Sequence, residues 1–171
     1  ARESHTSATA SGNSKKITKA VLMKVSVRFN MDDVPADGRF MLLDAAMYAD
    51  LLDDLTDKEL SAFLACADAS MGVLGKLYGF EIMQRSQVLR TTANGAAILK
   101  WEEDDADTEL AAGLAWQQDC VSRALGDVKM FDDMGNPTYY GDIYSFLVRT
   151  GGSPRRYDGK GIAAIIESNA A

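Results

Sequence analysis

The stretch "TGGSPRRYDGKGIAAI", residues 150–165, decides what kind of fold closes this chain. It sets a glycine pair, two arginines and a Gly-Lys-Gly cluster ahead of an apolar run, the ingredients of a phosphate-binding loop. Such a loop needs glycines that let backbone N–H groups converge on oxygen. It also needs a lysine followed by Ser or Thr, and a helix N-terminus behind them. Here Gly152 and Gly159 bracket six residues where the motif brackets four, and Gly161 follows Lys160. The continuation "IAAIIE" is short and β-like. The stretch therefore predicts a closing strand, with Gly151-Gly152 and Asp158-Gly159 as turns and Arg155, Arg156 and Lys160 as surface charge. The Gly72/Gly75-Lys76 cluster fails as a phosphate loop in the same way, because Leu77 follows its lysine.

Upstream of this stretch, "DVKMFDD" and "TYYGDIYSFLVRT" have strand composition, and "MGNP" between them has that of a hairpin turn. Tyr139, Tyr140, Tyr144 and Phe146 are expected to pack on a sheet. "LAAGLAWQQDCVSRALG", rich in helix formers, predicts a helix ended by Gly126. "AAILKW" (96–101) is a short strand candidate, and "EEDDADTE" (102–109), with six acids in eight residues, predicts a solvated loop.

The front half is more regular. Residues 1–14 are Ser-, Thr-, Ala- and Gly-rich without apolar periodicity, so a flexible lead-in is expected. Thr18 is a candidate N-cap for "KAVLMKVSVRFN", whose Val21, Leu22, Val25 and Phe29 fall at helical spacing. Lys19, Lys24 and Arg28 make its exposed side basic. Pro35 and Asp37-Gly38 stop that helix, and "RFMLL" (39–43) suits a buried strand. Asp44 can cap a helix through "AAMYADLLDD". Thr56 and Glu59 form a capping box ahead of Leu60, Phe63, Leu64 and Ala67 at i, i+3, i+4 and i+7. After "GVLGKLYGFEIMQRSQVL", taken as a loop and a strand, helices and strands mix without βαβ alternation. The class is α+β.

The chemistry of the 171 residues is sparse. Hydrophobic residues make up 47% of the chain, enough for a core, while a net charge of −7 argues against a duplex-binding module. His5, the only histidine, lies in the lead-in, which removes most triads, zinc sites and histidine-based acid–base schemes. Cys66 and Cys120 have no CxxC spacing and read as buried free thiols. The 102–109 run lacks the glycine and terminal glutamate of a calcium loop. No run reaches the roughly 18 apolar residues of a membrane span, and no signal peptide is visible. A paired-carboxylate hydrolase stays open, with nothing to single out a pair. No catalytic residue, metal ligand or cofactor site stands out, which favours a protein whose work is contact.

The order of segments then becomes informative. A basic-faced helix is followed by "DDVPADGRFMLLDAAMYADLL" and "GKLYGFEIMQRSQVL". After these come "AGLAWQQDCVSRALGDVKMF" and "YGDIYSFLVRTGGSPRRYDGKGIAAI". Over residues 13–167 this resembles the C-terminal two-thirds of a tailed-phage major capsid protein of the Hong Kong 97-type fold. The resemblance implies a peripheral domain from 15–35 and 126–150, with a spine helix and a β-hairpin. It implies an axial domain with a central sheet from 36–125 and 151–171. It places Asp132, Asp133, Gly135 and Asn136 at the hairpin tip. Arg28, Asp132, Asp133, Asn136, Arg155, Arg156 and Lys160 become candidate subunit contacts, the last three pairing with acids of the same or a neighbouring subunit.

The implied function is a virion shell subunit, forming hexamers and pentamers around double-stranded DNA that it does not read by sequence. Scaffold or portal proteins are its further partners, and no membrane or cofactor is involved. The family's N-terminal arm and extended loop normally precede the spine helix; only polar residues 1–14 do so here, so either an upstream portion has been removed, the favoured reading, or the chain cannot complete shell contacts in the usual way. An encapsulin-like compartment shell is the nearest alternative, and a small α+β enzyme or ligand-binding domain a more distant one.

Overall fold

The computed structural model describes residues 17–86, 88–91, 98, 110–136, 138 and 140–166. Its elements follow in chain order. Helix α1 is Lys19–Met31, strand β1 Arg39–Asp44, helix α2 Ala45–Asp54 and helix α3 Asp57–Leu64. Strands β2, β3 and β4 are Gly75–Leu77, Phe80–Arg85 and Leu89–Thr91. Strand β5, Leu110–Gln117, passes through a 3₁₀ turn at Gln118–Cys120 into β6, Val121–Leu125. The chain ends with β7 Lys129–Asn136, β8 Gly141–Leu147, β9 Thr150–Pro154 and β10 Ile162–Ile166.

The central sheet runs β10-β5-β1-β3-β2, with β4 also paired to β5. Strand β1 lies parallel to β3 and antiparallel to β5, which is antiparallel to β10. The closing strand expected from the sequence forms and joins the central sheet, as the resemblance implies. Two smaller ladders stand apart from it, β6-β9 and β7-β8. One face of the sheet presents Met41, Leu43, Phe80, Ile82, Ala115 and Ile165 to a core that Val21, Leu22 and Phe29 of α1, Met47 and Leu51 of α2 and Phe63 of α3 complete. Phe29 and Phe80 meet edge to face, 5.3 Å between centroids.

The three helices expected in the front half of the chain form. Asp44 caps α2, its Oδ1 accepting from Ala46 N–H at 3.2 Å. Thr18 holds the N-cap position of α1 without a side-chain cap bond. Asp54 takes that role instead, its Oδ2 accepting the Lys19 N–H at 2.8 Å and bringing negative charge to the helix N-terminus. On α3, Glu59 accepts from Thr56 N–H at 3.0 Å, closing the capping box, and from Lys19 Nζ at 2.9 Å. The same carboxylate thus starts α3 and ties α1 to it. Leu64, the last residue of α3, and Ala67 beyond its end, both counted with its apolar face, are exposed.

Glu59 carries a pH signature. The Thr56 backbone N–H first, and then the Lys19 ammonium, lower its pKa from 4.5 to about 2. A carboxyl depressed in the folded state contributes stability that is present above the unfolded value and lost as pH falls through the folded one. The melting temperature should therefore fall between pH 4.5 and about 2. Glu59→Gln should flatten that part of the curve. Parallel melting curves for the two proteins across this window would contradict the assignment.

The largest departure from sequence expectation is the segment 110–125, predicted helical and found as two strands. Ala111, Gly113 and Ala115 face the helices, and a Cβ on Gly113 would sit 3.0 Å from Leu43 Cδ2 and 3.1 Å from Leu42 O. Leu114 and Trp116 project to the opposite face. One side carries these small residues and the other carries Leu114 and Trp116, a period of two, and pairing on both edges outweighs the helix propensity of alanine. A second correction concerns Gly151-Gly152, predicted as a turn. Both lie inside β9, opposite Ala124 and Arg123 of β6. Of the "AAILKW" strand candidate only Ile98 is described, bridged to Thr91; the acidic run 102–109 lies outside the described residues.

Candidate functional site

Strands β7 and β8 pair antiparallel from Lys129↔Leu147 to Asp133↔Ile143, with an irregularity before Asn136↔Gly141. Alternation puts Met130, Asp132, Tyr144 and Phe146 on one face and Lys129, Phe131, Asp133, Ile143, Ser145 and Leu147 on the other. A lone two-stranded ladder has no sheet beneath it, so neither face is covered. Phe146 is 68% exposed, Met134 69% and Tyr140 97%, and Met130, Phe131 and Tyr144 are also exposed. The expectation that Tyr140, Tyr144 and Phe146 pack on a sheet is therefore not met, and Tyr139 lies outside the described residues. An isolated hairpin is marginally stable in water, and a contiguous exposed apolar patch marks a surface built for a partner. Asp132 and Asp133 sit on the ladder, opposite Tyr144 and Ile143, rather than at the tip. Asn136 closes the turn end against Gly141, where Gly135 N–H donates to Asp142 Oδ1 at 2.8 Å.

The second cluster lies where the C-terminus of α1 meets the turn before β10. Arg28 Nε donates to Asp32 Oδ2 at 2.9 Å, and Lys160 Nζ lies 3.7 Å from Asp32 Oδ1. Asp32 thus joins two predicted contact residues from opposite ends of the chain. Arg156 grips Asp158 through Nε and Nη2 at 3.1 and 2.9 Å, and the Lys160 backbone N–H donates to Asp158 Oδ1 at 3.1 Å. That backbone bond, followed by the guanidinium, holds the Asp158 carboxyl below its ordinary range, while the carboxylate raises Arg156. A carboxylate occupies the backbone donor of Lys160, and a strand follows, so the loop offers phosphate no cradle. Arg155 has no acidic partner among the described residues; its backbone N–H donates to Cys120 O at 2.8 Å.

The outward side of α1 is less basic than the sequence suggests. Met23, Val27 and Met31 are exposed in a stripe alongside Lys24 and Arg28. Lys19, assigned to that side, turns to Glu59. The sheet face away from the helices also carries apolar residues. Phe40 and Trp116 stand 5.9 Å apart. Trp116, with Leu42, Leu114 and Ile162, lines an apolar groove of about 680 Å³. Cys120 is buried, but Cys66 is exposed in the turn after α3, so the expectation of two buried thiols holds for one. Among the described residues no group of three or more His, Cys, Asp or Glu side chains could hold a metal ion. The described surface is rich in contact features.

The fold, of the α+β class expected from the sequence, is one shared with solved phage capsid and head structures. The chain matches the capsid of Ralstonia phage GP4 over 99% of its length with a TM-score of 0.61 and 12% identity. It matches the head structure of Helicobacter pylori bacteriophage KHP40 over 91% at 0.58 and 14% identity. It matches the capsid of cyanophage P-SCSP1u over 90% at 0.55 and 16% identity. The chain spans 51%, 60% and 46% of those three chains respectively. No protein-family profile and no curated protein matches the sequence.

Proposed function

We propose that this chain is the shell-forming part of a major capsid subunit, a structural protein that assembles with copies of itself. The observation that carries this reading is a capsid fold bearing a β7–β8 hairpin with exposed apolar residues on both faces. In the proposed assembly, copies form hexamers and pentamers of an icosahedral shell around double-stranded DNA. Assembly takes place in the bacterial host cytoplasm, with scaffold or portal proteins as further partners. Residues 15–35 and 126–150 form the peripheral domain, and 36–125 with 151–171 the axial domain. Arg28, Asp132, Asp133, Asn136, Arg155, Arg156 and Lys160 set register between neighbours, since charged groups at an interface select partners more than they add affinity. The net charge of −7, where it faces inward, keeps DNA from adhering. The phage neighbours favour this over an encapsulin-like shell.

The hairpin supplies the test. Met130→Asp with Phe146→Asp, made in the complete gene product, adds two charges to a surface already exposed. The variant should keep the circular dichroism and melting temperature of the parent, yet give no particles on a sucrose gradient. Full particle yield would remove the hairpin from the interface.

A further inference from the structure

Resting on the proposed self-assembly, the geometry points to a specific contact: the Met130/Asp132/Tyr144/Phe146 face of one subunit's hairpin lies on the outward stripe of a second copy's α1. Both surfaces stay exposed within one chain, so neither covers the other in the same molecule. The α1 stripe of Met23, Val27 and Met31 runs about 12 Å at the rise of a helix. The ladder from Met130 to Met134 runs about 13 Å at the rise of a strand. Their charges are complementary. Exposed Lys24 and Arg28 border the stripe, while exposed Asp132 sits between Met130 and Met134 on the hairpin. Neither Lys24 nor Asp132 has a charged partner among the described residues, so each is available to a neighbour.

A contact between two different patches of one chain is heterologous. It propagates from subunit to subunit and closes into a ring when the rotation allows. Met fits such a seam because its flexible, polarizable side chain adapts to slightly different neighbours. The basic edge of α1 and the acid of the hairpin favour this heterologous pairing, since hairpin on hairpin or helix on helix would place like charges together.

The test uses the complete gene product carrying Cys66→Ser, which removes the exposed thiol and leaves Cys120 buried. One preparation carries Val27→Cys, a second Phe146→Cys, and the two are co-assembled and oxidised. Disulfide-linked dimers on a non-reducing gel, absent from either preparation alone, are the expected result; each chain offers one introduced thiol, so the bond joins two copies. In parallel, Lys24→Glu and Asp132→Lys should each lower particle yield about ten-fold, and the two combined in one chain should restore it. Particles that form without dimers and without rescue by the charge exchange would overturn this contact and leave the shell-forming reading intact. Absence of particles from the unsubstituted product would overturn both.

Discussion

An Arg39→Met variant should lose at least about 1–3 kcal/mol of stability, the cost of leaving one buried acceptor unpaired. Arg39 is 3% exposed at the start of β1 and, among the described residues, has no carboxylate among its hydrogen-bond acceptors. Three neutral oxygens take that place. Nε donates to Pro35 O at 2.8 Å, and Nη2 donates to Asn30 Oδ1 at 2.8 Å and to Val34 O at 2.6 Å. The guanidinium also lies 5.6 Å from the Phe29 ring centroid and 6.0 Å from that of Phe80. Burial pulls its pKa below the ordinary guanidinium range, and the carbonyls hold it in place. Methionine would fill much of the space but leave those acceptors unpaired, and each unsatisfied buried group costs about 1–3 kcal/mol. Arg39→Lys should recover only part of the loss, because an ammonium has no planar fork to span the acceptors and stack between rings. Urea unfolding of the three proteins measures this. Equal midpoints for parent and Arg39→Met would show that the network contributes nothing.

The second large effect is at Gly161, the residue through which the Arg155–Lys160 turn meets the core. Its φ is +84°, and a Cβ there would overlap Cys120 Sγ, with Cys120 Cβ only 2.8 Å away. Gly161→Ala therefore combines a left-handed backbone penalty of about 1–2 kcal/mol with overpacking of about 1–3 kcal/mol. Gly159 separates the two effects. Its φ is +66° and a Cβ added there would meet nothing within 4 Å, so Gly159→Ala should cost only the backbone part. The expected order of urea midpoints is parent, then Gly159→Ala, then Gly161→Ala well below both. A Gly161→Ala midpoint equal to that of Gly159→Ala would mean the turn does not press on Cys120.

Local signals carry the helical half of the fold, and long-range pairing decides the rest. Asp44 and the Thr56/Glu59 box mark helix starts within a few residues of sequence, and both act as those signals predict. For Leu110–Leu125 the deciding facts are Leu42 on one edge and Ile165 on the other, which no local window contains. Thr150–Pro154 has almost no side chain to betray a strand, and only its pairing with β6 makes it one.

The site is legible in the same uneven way. Arg28–Asp32 is an i,i+4 pair visible in sequence, but the contact of Lys160 with Asp32 joins opposite ends of the chain. Tyr144 and Phe146 have the composition of a buried sheet. Composition does not distinguish a core filled by one chain from a surface filled by a second copy. Arg39 opens a run whose apolar residues dominate its pattern, and a basic residue at the head of a buried strand is the available signal for its network.

Electron microscopy of the complete gene product, expressed alone and with its neighbouring genes, decides whether this fold builds a shell. Uniform icosahedral particles, lost on Met130→Asp/Phe146→Asp while the subunit stays folded, are the predicted result. A folded monomer at high concentration under both conditions would contradict it.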